Sequence, residues 1–180
     1  MTLENLTEVI CQQIDDRYKA LPIKSRSPYT LHQSISQDPI NVPEIDQELA
    51  PVKGYKVYTL KSWSEPIPFC VSLILIGPNQ ATAAHDHICD CGLICLQGHI
   101  EHQHFEDKQE EPLTQSAVDF LKPGNGCYFR STEPNIHRLA NPDSKNIACS
   151  LHIYSYDCDK HSSSVKTCYD SRLDRSLSCP

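Results

Sequence analysis

Apolar residues return every three or four positions at the start of the chain: Leu3, Leu6, Val9, Ile10, Ile14 and Tyr18. That spacing predicts an amphipathic helix over Thr2 to Ala20, capped by Thr2 and stopped by Pro22. Residues 22–52 lose the period and are rich in Pro, Ser, Asp and Gln, with room for one short helix near Tyr29 to Ser36. From Gly54 the pattern changes to short β-branched and aromatic runs. Strands are predicted at Tyr55 to Leu60, Phe69 to Ile76, Ala81 to His87, Gly92 to Gln97, His99 to Phe105, Cys127 to Arg130 and Ile147 to Tyr154. Turn residues separate many of them, among them Gly77-Pro78-Asn79, Gly98, the run from Lys122 to Gly126, and Asn141-Pro142-Asp143. Repeated strands without helices between them predict an all-β antiparallel sandwich or barrel. After about Cys158 the chain turns polar and Ser-rich, as a flap or tail would. The expected organisation is one domain: residues 1–53 a helix and covering segment, 54–157 the barrel, 158–180 the flap or tail.

A chain of 180 residues is long enough to bury one proper core. Its 16 basic and 23 acidic residues leave a formal charge of −7, which disfavours nucleic acid and anionic membranes as partners. No apolar run approaches the roughly 20 residues of a membrane helix. Met1-Thr2-Leu3-Glu4 carries neither the basic leader nor the apolar core of a secretory signal, so a cytoplasmic location is expected. Against that background the 10 cysteines read mostly as small buried apolar residues; Cys70, Cys95 and Cys149 sit inside apolar runs. Nothing in the sequence fixes the oligomeric state, and a monomer is compatible with it.

The candidate chemistry lies at His85-Asp86-His87. Two imidazoles two residues apart on an extended segment point to the same side and can meet one ion. His137, arriving from another strand, would complete one face of a metal site. Three neutral ligands leave the ion's charge largely uncompensated and positions open, which suits an anionic substrate and a small gas better than a structural role. His99, His102 and His104 read as satisfied polar residues.

Spacing extends the pattern. Three residues separate His87 from Cys91, and six separate Cys91 from Gly98. This follows the first cupin motif, His-x-His then Glu then Gly, with Cys91 in the Glu position and Asn79 where the motif opens on Gly. The second motif fits from Gly126 to His137 and Asn141, with Thr132 and Pro134 at its Pro and second Gly positions. Together with His137-Arg138 and Ser150-Leu151-His152-Ile153-Tyr154, these residues make the chain resemble the cysteine dioxygenase family of the cupin superfamily, over about Gly54 to Tyr156. The resemblance implies an antiparallel jelly-roll cupin barrel and oxidation of a small thiol, cysteine or a relative, to its sulfinic acid with O2. It implies Fe(II) held by His85, His87 and His137. Tyr154 would stand beside the substrate and oxygen, oriented by His152 with Ser150 behind it. Cys91 matches the position that forms a thioether to that tyrosine in animal-type members.

One departure bears on the substrate. Cysteine-specific members carry an Arg two residues after an early-strand Tyr, as a carboxylate clamp. Here Tyr58 is followed by Thr59-Leu60-Lys61, and the clamp position falls on Leu60. Arg130 and Arg138 are the nearest alternative cations in sequence, and thiols other than free cysteine stay open. The competing readings are a cupin metalloenzyme of another reaction type, a non-catalytic small-molecule-binding cupin, and a structural zinc site at Cys89, Cys91 and Cys95.

Overall fold

A computed structural model describes residues 2–51, 53–108, 112–160 and 163–173. The first helix, α1 (Leu3–Ala20), starts where the Thr2 side chain accepts from the Asn5 amide, and it buries Leu6, Ile10, Ile14 and Tyr18 along one stripe. The second, α2 (Pro28–Gln37), opens with Pro28 in its first turn and a capping box between Ser27 and Thr30. Both helices lay their apolar stripes on one sheet, and Asp15 fastens the first to it. The Asp15 carboxylate takes Lys61 Nζ at 2.9 Å and Trp63 Nε1–H at 2.7 Å.

Among the described residues, ten strands form two five-stranded antiparallel sheets. The first contains β1 (Tyr55–Trp63), β2 (Phe69–Ile76), β4 (Cys91–Gln97), β7 (Gly126–Phe129) and β9 (Ala148–Tyr154), in the order β1-β2-β9-β4-β7. The second contains β3 (His85–His87), β5 (Ile100–Glu106), β6 (Thr114–Leu121), β8 (His137–Ala140) and β10 (Val165–Cys168), in the order β10-β3-β8-β5-β6. The architecture is the all-β one that the residue pattern predicts, with the helix at its N-terminus. Among the described residues the sheets pack as layers and are not hydrogen-bonded into a closed barrel.

Strands β2 and β9 are buried on both faces, which explains their nearly continuous apolar runs. Phe69, Val71, Leu73, Leu151 and Ile153 point out to the helices. Ile74, Leu93 and Ala148 point in, meeting Ile100, Leu121 and Leu139 of the other sheet. Asn79 stands where the cupin motif has Gly, and it takes the left-handed conformation that this turn demands, with φ 54. Asn141 is buried and its amide donates to the carbonyls of Ile76, Gly77 and Asn146, so it staples the turn beside it. At Gly98, φ is 74 and an added Cβ would stand 2.7 Å from the Ile147 carbonyl, so only glycine fits without strain.

Three strands are additions to the sequence reading. β6 is an exposed edge whose residues lack a buried alternation. β8 and β10 have four residues each, too short to show a period. The strand predicted from Ala81 shortens to His85–His87, preceded by an isolated bridge at Ala81. The end of the expected tail, with Cys179, lies outside the described residues.

Candidate metal centre

His85 and His137 are direct partners across β3 and β8, so their side chains stand side by side on one face. His87, two residues on, shares that face. The ring centroids lie 4.7 Å (His85–His87), 4.8 Å (His85–His137) and 5.1 Å (His87–His137) apart. One ligand atom from each of the three lies within 4.8 Å of the others.

The Nδ1 atoms are all engaged on the far side. His85 Nδ1–H donates to the Ala83 carbonyl at 2.8 Å. His87 Nδ1 meets Ser164 Oγ at 3.2 Å, and His137 Nδ1 meets His102 Nε2 at 2.7 Å. Partners behind the ring fix both its tautomer and its direction. The Nε2 atoms are left to converge, and those of His87 and His137 already stand 3.0 Å apart. Burial, joined by the charges of neighbouring imidazoles, pushes His87 down to about 3 and His137 well below the ordinary histidine value. Burial also lowers His85. The set is therefore neutral at pH 7, which is the ligating form, and the donors fit a divalent transition ion.

The other sheet supplies the facing wall. On β9, Ser150 Oγ lies 2.9 Å from His152 Nε2, and the Tyr154 hydroxyl lies 3.2 Å from His152 Nδ1. All three are buried. Cys91 is the direct partner of Tyr154 across β4 and β9, and its sulfur stands 3.7 Å from His152 Nδ1. Burial raises the Tyr154 phenol and the Cys91 thiol well above their usual ranges and keeps His152 neutral. The Tyr154 ring is 5.5 Å from that of His87. A cavity of about 240 Å³ opens between the sheets, walled by His85, His87, Tyr154, Ser72, Thr82 and Tyr156, among others.

A family model described as cysteine dioxygenase type I matches residues 65–164. The chain belongs to that family. The matched stretch holds the three converging histidines, Cys91 and the Ser150-His152-Tyr154 triplet. Among solved structures, the chain is similar to a cupin 2 domain-containing protein from Halorhodospira halophila, 16% identical, with 77% of this chain and 80% of that one covered and a TM-score of 0.48. It is also similar to the cupin domain of an XRE family transcriptional regulator from Enterobacter cloacae, 19% identical, covering 58% and 98%, with a TM-score of 0.42.

For this cysteine dioxygenase family member the structure does not bring the expected substrate-binding residues into the cavity. A register shift lies between Thr59 and Lys61 of β1. Tyr58 and Leu60 pack on the outer core beneath the helices, and the Tyr58 hydroxyl donates to the Leu49 carbonyl at 2.8 Å. Val57 and Thr59 line the cavity instead. Arg130 is exposed in a turn. Arg138 is buried on the face of β8 opposite His137, where its Nε–H donates to Gln103 Oε1 at 2.8 Å. Among the described residues lining the cavity, none is Arg or Lys. Nor do Cys89, Cys91 and Cys95 meet at one point: Cys91 and Cys95 lie four residues apart along a strand, roughly 13 Å, and no cysteine belongs to the described groups able to hold an ion.

Two residues behind the candidate ligands escaped the sequence reading. Ser164 Oγ supports His87. His102 supports His137. The only forward signal for His102 was its place on an alternating strand with His104.

Proposed function

We propose that this chain is an iron-dependent thiol dioxygenase that converts a small thiol to its sulfinic acid, with both atoms of O2 passing to sulfur. His85, His87 and His137 are the residues that would hold Fe(II). The observation that carries this reading is the set of Nε2 atoms converging with every Nδ1 occupied behind them, with the neutral thiol of Cys91 standing where the cupin motif carries a charged Glu. Ferrous iron, when bound, supplies the redox chemistry that joins oxygen to a thiolate.

The chain's own residues then set orientation and protons. A neutral His152 has one N–H and one lone pair. With the Ser150 hydroxyl donating to Nε2, Nδ1–H donates to the Tyr154 oxygen. The phenol proton is then free to point into the cavity and donate to the substrate. Because burial holds Tyr154 protonated, it serves as a hydrogen-bond donor and proton reservoir at neutral pH. Cys91, opposite Tyr154 on the neighbouring strand, is in the register that a thioether between them requires. Ser72, Thr82 and Tyr156 offer neutral polar contacts to the rest of the substrate. The cavity reads small polar thiols through hydroxyls rather than through a guanidinium clamp.

The test is reconstitution with Fe(II) followed by a panel of cysteine, a mercapto-carboxylate and a small thiol without a carboxylate. Oxygen uptake with a product heavier by two oxygen atoms is expected for at least one of them. Folded, iron-loaded protein that consumes no oxygen with any of the three overturns the proposal.

A further inference from the structure

Behind His137 lies a second group of ligand-type side chains outside the catalytic cavity. His102 and His104 are two residues apart on β5 and so share a face. Strand register sets His102 directly opposite Asp119 of β6. The His102 and His104 rings stand 4.1 Å apart, and His104 Nε2 lies 2.9 Å from Asp119 Oδ2. One ligand atom from each of these three residues also lies within 4.8 Å of the others. Asp119 lines a surface depression with Gly126 and Cys127 that shares no lining residue with the catalytic cavity, so solvent reaches the group from another side.

We propose that His102, His104 and Asp119 form a second cation site, taking a divalent transition ion of the zinc class. Two imidazole nitrogens and one carboxylate oxygen suit zinc, cobalt, nickel or copper better than magnesium or calcium, which favour all-oxygen sets. The exposed side leaves room for water as a further ligand. The exposed His104–Asp119 pair contributes little as an ion pair. The buried imidazole standing against that pair turns it into a three-donor set.

The site shares His102 with the catalytic centre, and this sharing makes the two compete. This competition rests on the proposed role of His137 as an iron ligand. To offer Nε2 forward, a neutral His137 must carry its proton on Nδ1, and His102 Nε2 must accept it. If a second ion takes His102 through Nδ1, a neutral ring carries its proton on Nε2, facing the His137 N–H. If the ion takes Nε2, the bond to His137 is lost outright. Either way, filling the second site weakens the first, and by reciprocity the first weakens the second.

The experiment compares the full-length chain with the double variant His104→Gln/Asp119→Asn, whose altered residues are partly or largely exposed and lie outside the catalytic machinery. Zinc bound at equilibrium is measured by dialysis and metal analysis. One more equivalent per chain is expected in the unaltered protein than in the variant, and equal numbers overturn the site. That count does not depend on any thiol being oxidised, so it stands or falls apart from the proposed activity. Iron-loaded protein, kept free of oxygen, is then titrated with zinc. Iron affinity is expected to fall roughly tenfold more in the unaltered chain than in the variant, in line with the loss of a partner behind a ligating imidazole. Equal loss in the two proteins overturns the coupling.

Discussion

Tyr154 and His102 make opposite predictions although both stand within one bond of the histidine network. Tyr154→Phe removes the buried phenol O–H proposed to donate to substrate. Its kcat is expected to fall by roughly 100-fold, the lower end for a positioned proton donor, while metal content stays unchanged; steady-state kinetics beside metal analysis check this. His102→Ala instead takes the support from behind His137. Iron affinity is expected to fall roughly 10- to 100-fold, measured by competition with a chelator, and His102→Gln is expected to recover part of it by restoring a hydrogen-bonding group. The candidate ligands were legible in the chain because His85, His87 and His137 obey a spacing rule that survives folding. His102 was not, because its partner is 35 positions away and strand pairing alone brings the two together.

Strand β1 shows the same limit at the next scale. Alternation tells which residues share a face only while the register is unbroken, and the shift between Thr59 and Lys61 is invisible in composition. The clamp position, Leu60, therefore packs toward the helices with Tyr58 and Trp63. Leu60→Arg is expected to leave the KM for cysteine unimproved and to cost about 1–3 kcal/mol by setting a charge against apolar neighbours. Kinetics and a urea titration separate the two effects, and a markedly lower KM would place this residue in the cavity after all. Helices α1 and α2 were readable because caps and periodicity agree in both. The edge strand β6 was not, since a strand solvated on both sides carries no alternation to detect.

The whole molecule concentrates histidine in its interior, and its acid stability follows from that. His32, His85, His87, His102, His137 and His152 all have values pushed below the ordinary 6.5, with burial the leading cause in each. As pH falls through 6.5 the unfolded chain takes up protons that the folded metal-free chain refuses. Stability is therefore full above that value and lost below it, by up to about 1.4 kcal/mol per pH unit for each such group. The urea midpoint of the metal-free protein is expected to drop steeply between pH 7 and pH 5, and a flat midpoint would contradict the burial of these rings.

The division of labour between the two sheets carries a last consequence. The candidate ligands sit on one sheet and the phenol relay on the other, so reactive groups face each other like the jaws of a caliper. Their gap is spanned by apolar side chains such as Leu93 against Leu139, with Leu93 directly opposite His152 across the strands. Trimming such a spacer, as in Leu93→Ala, is expected to cost about 2–5 kcal/mol and to detune turnover while the ion stays bound. The alignment proposed for catalysis is thus a thickness, held largely by grease.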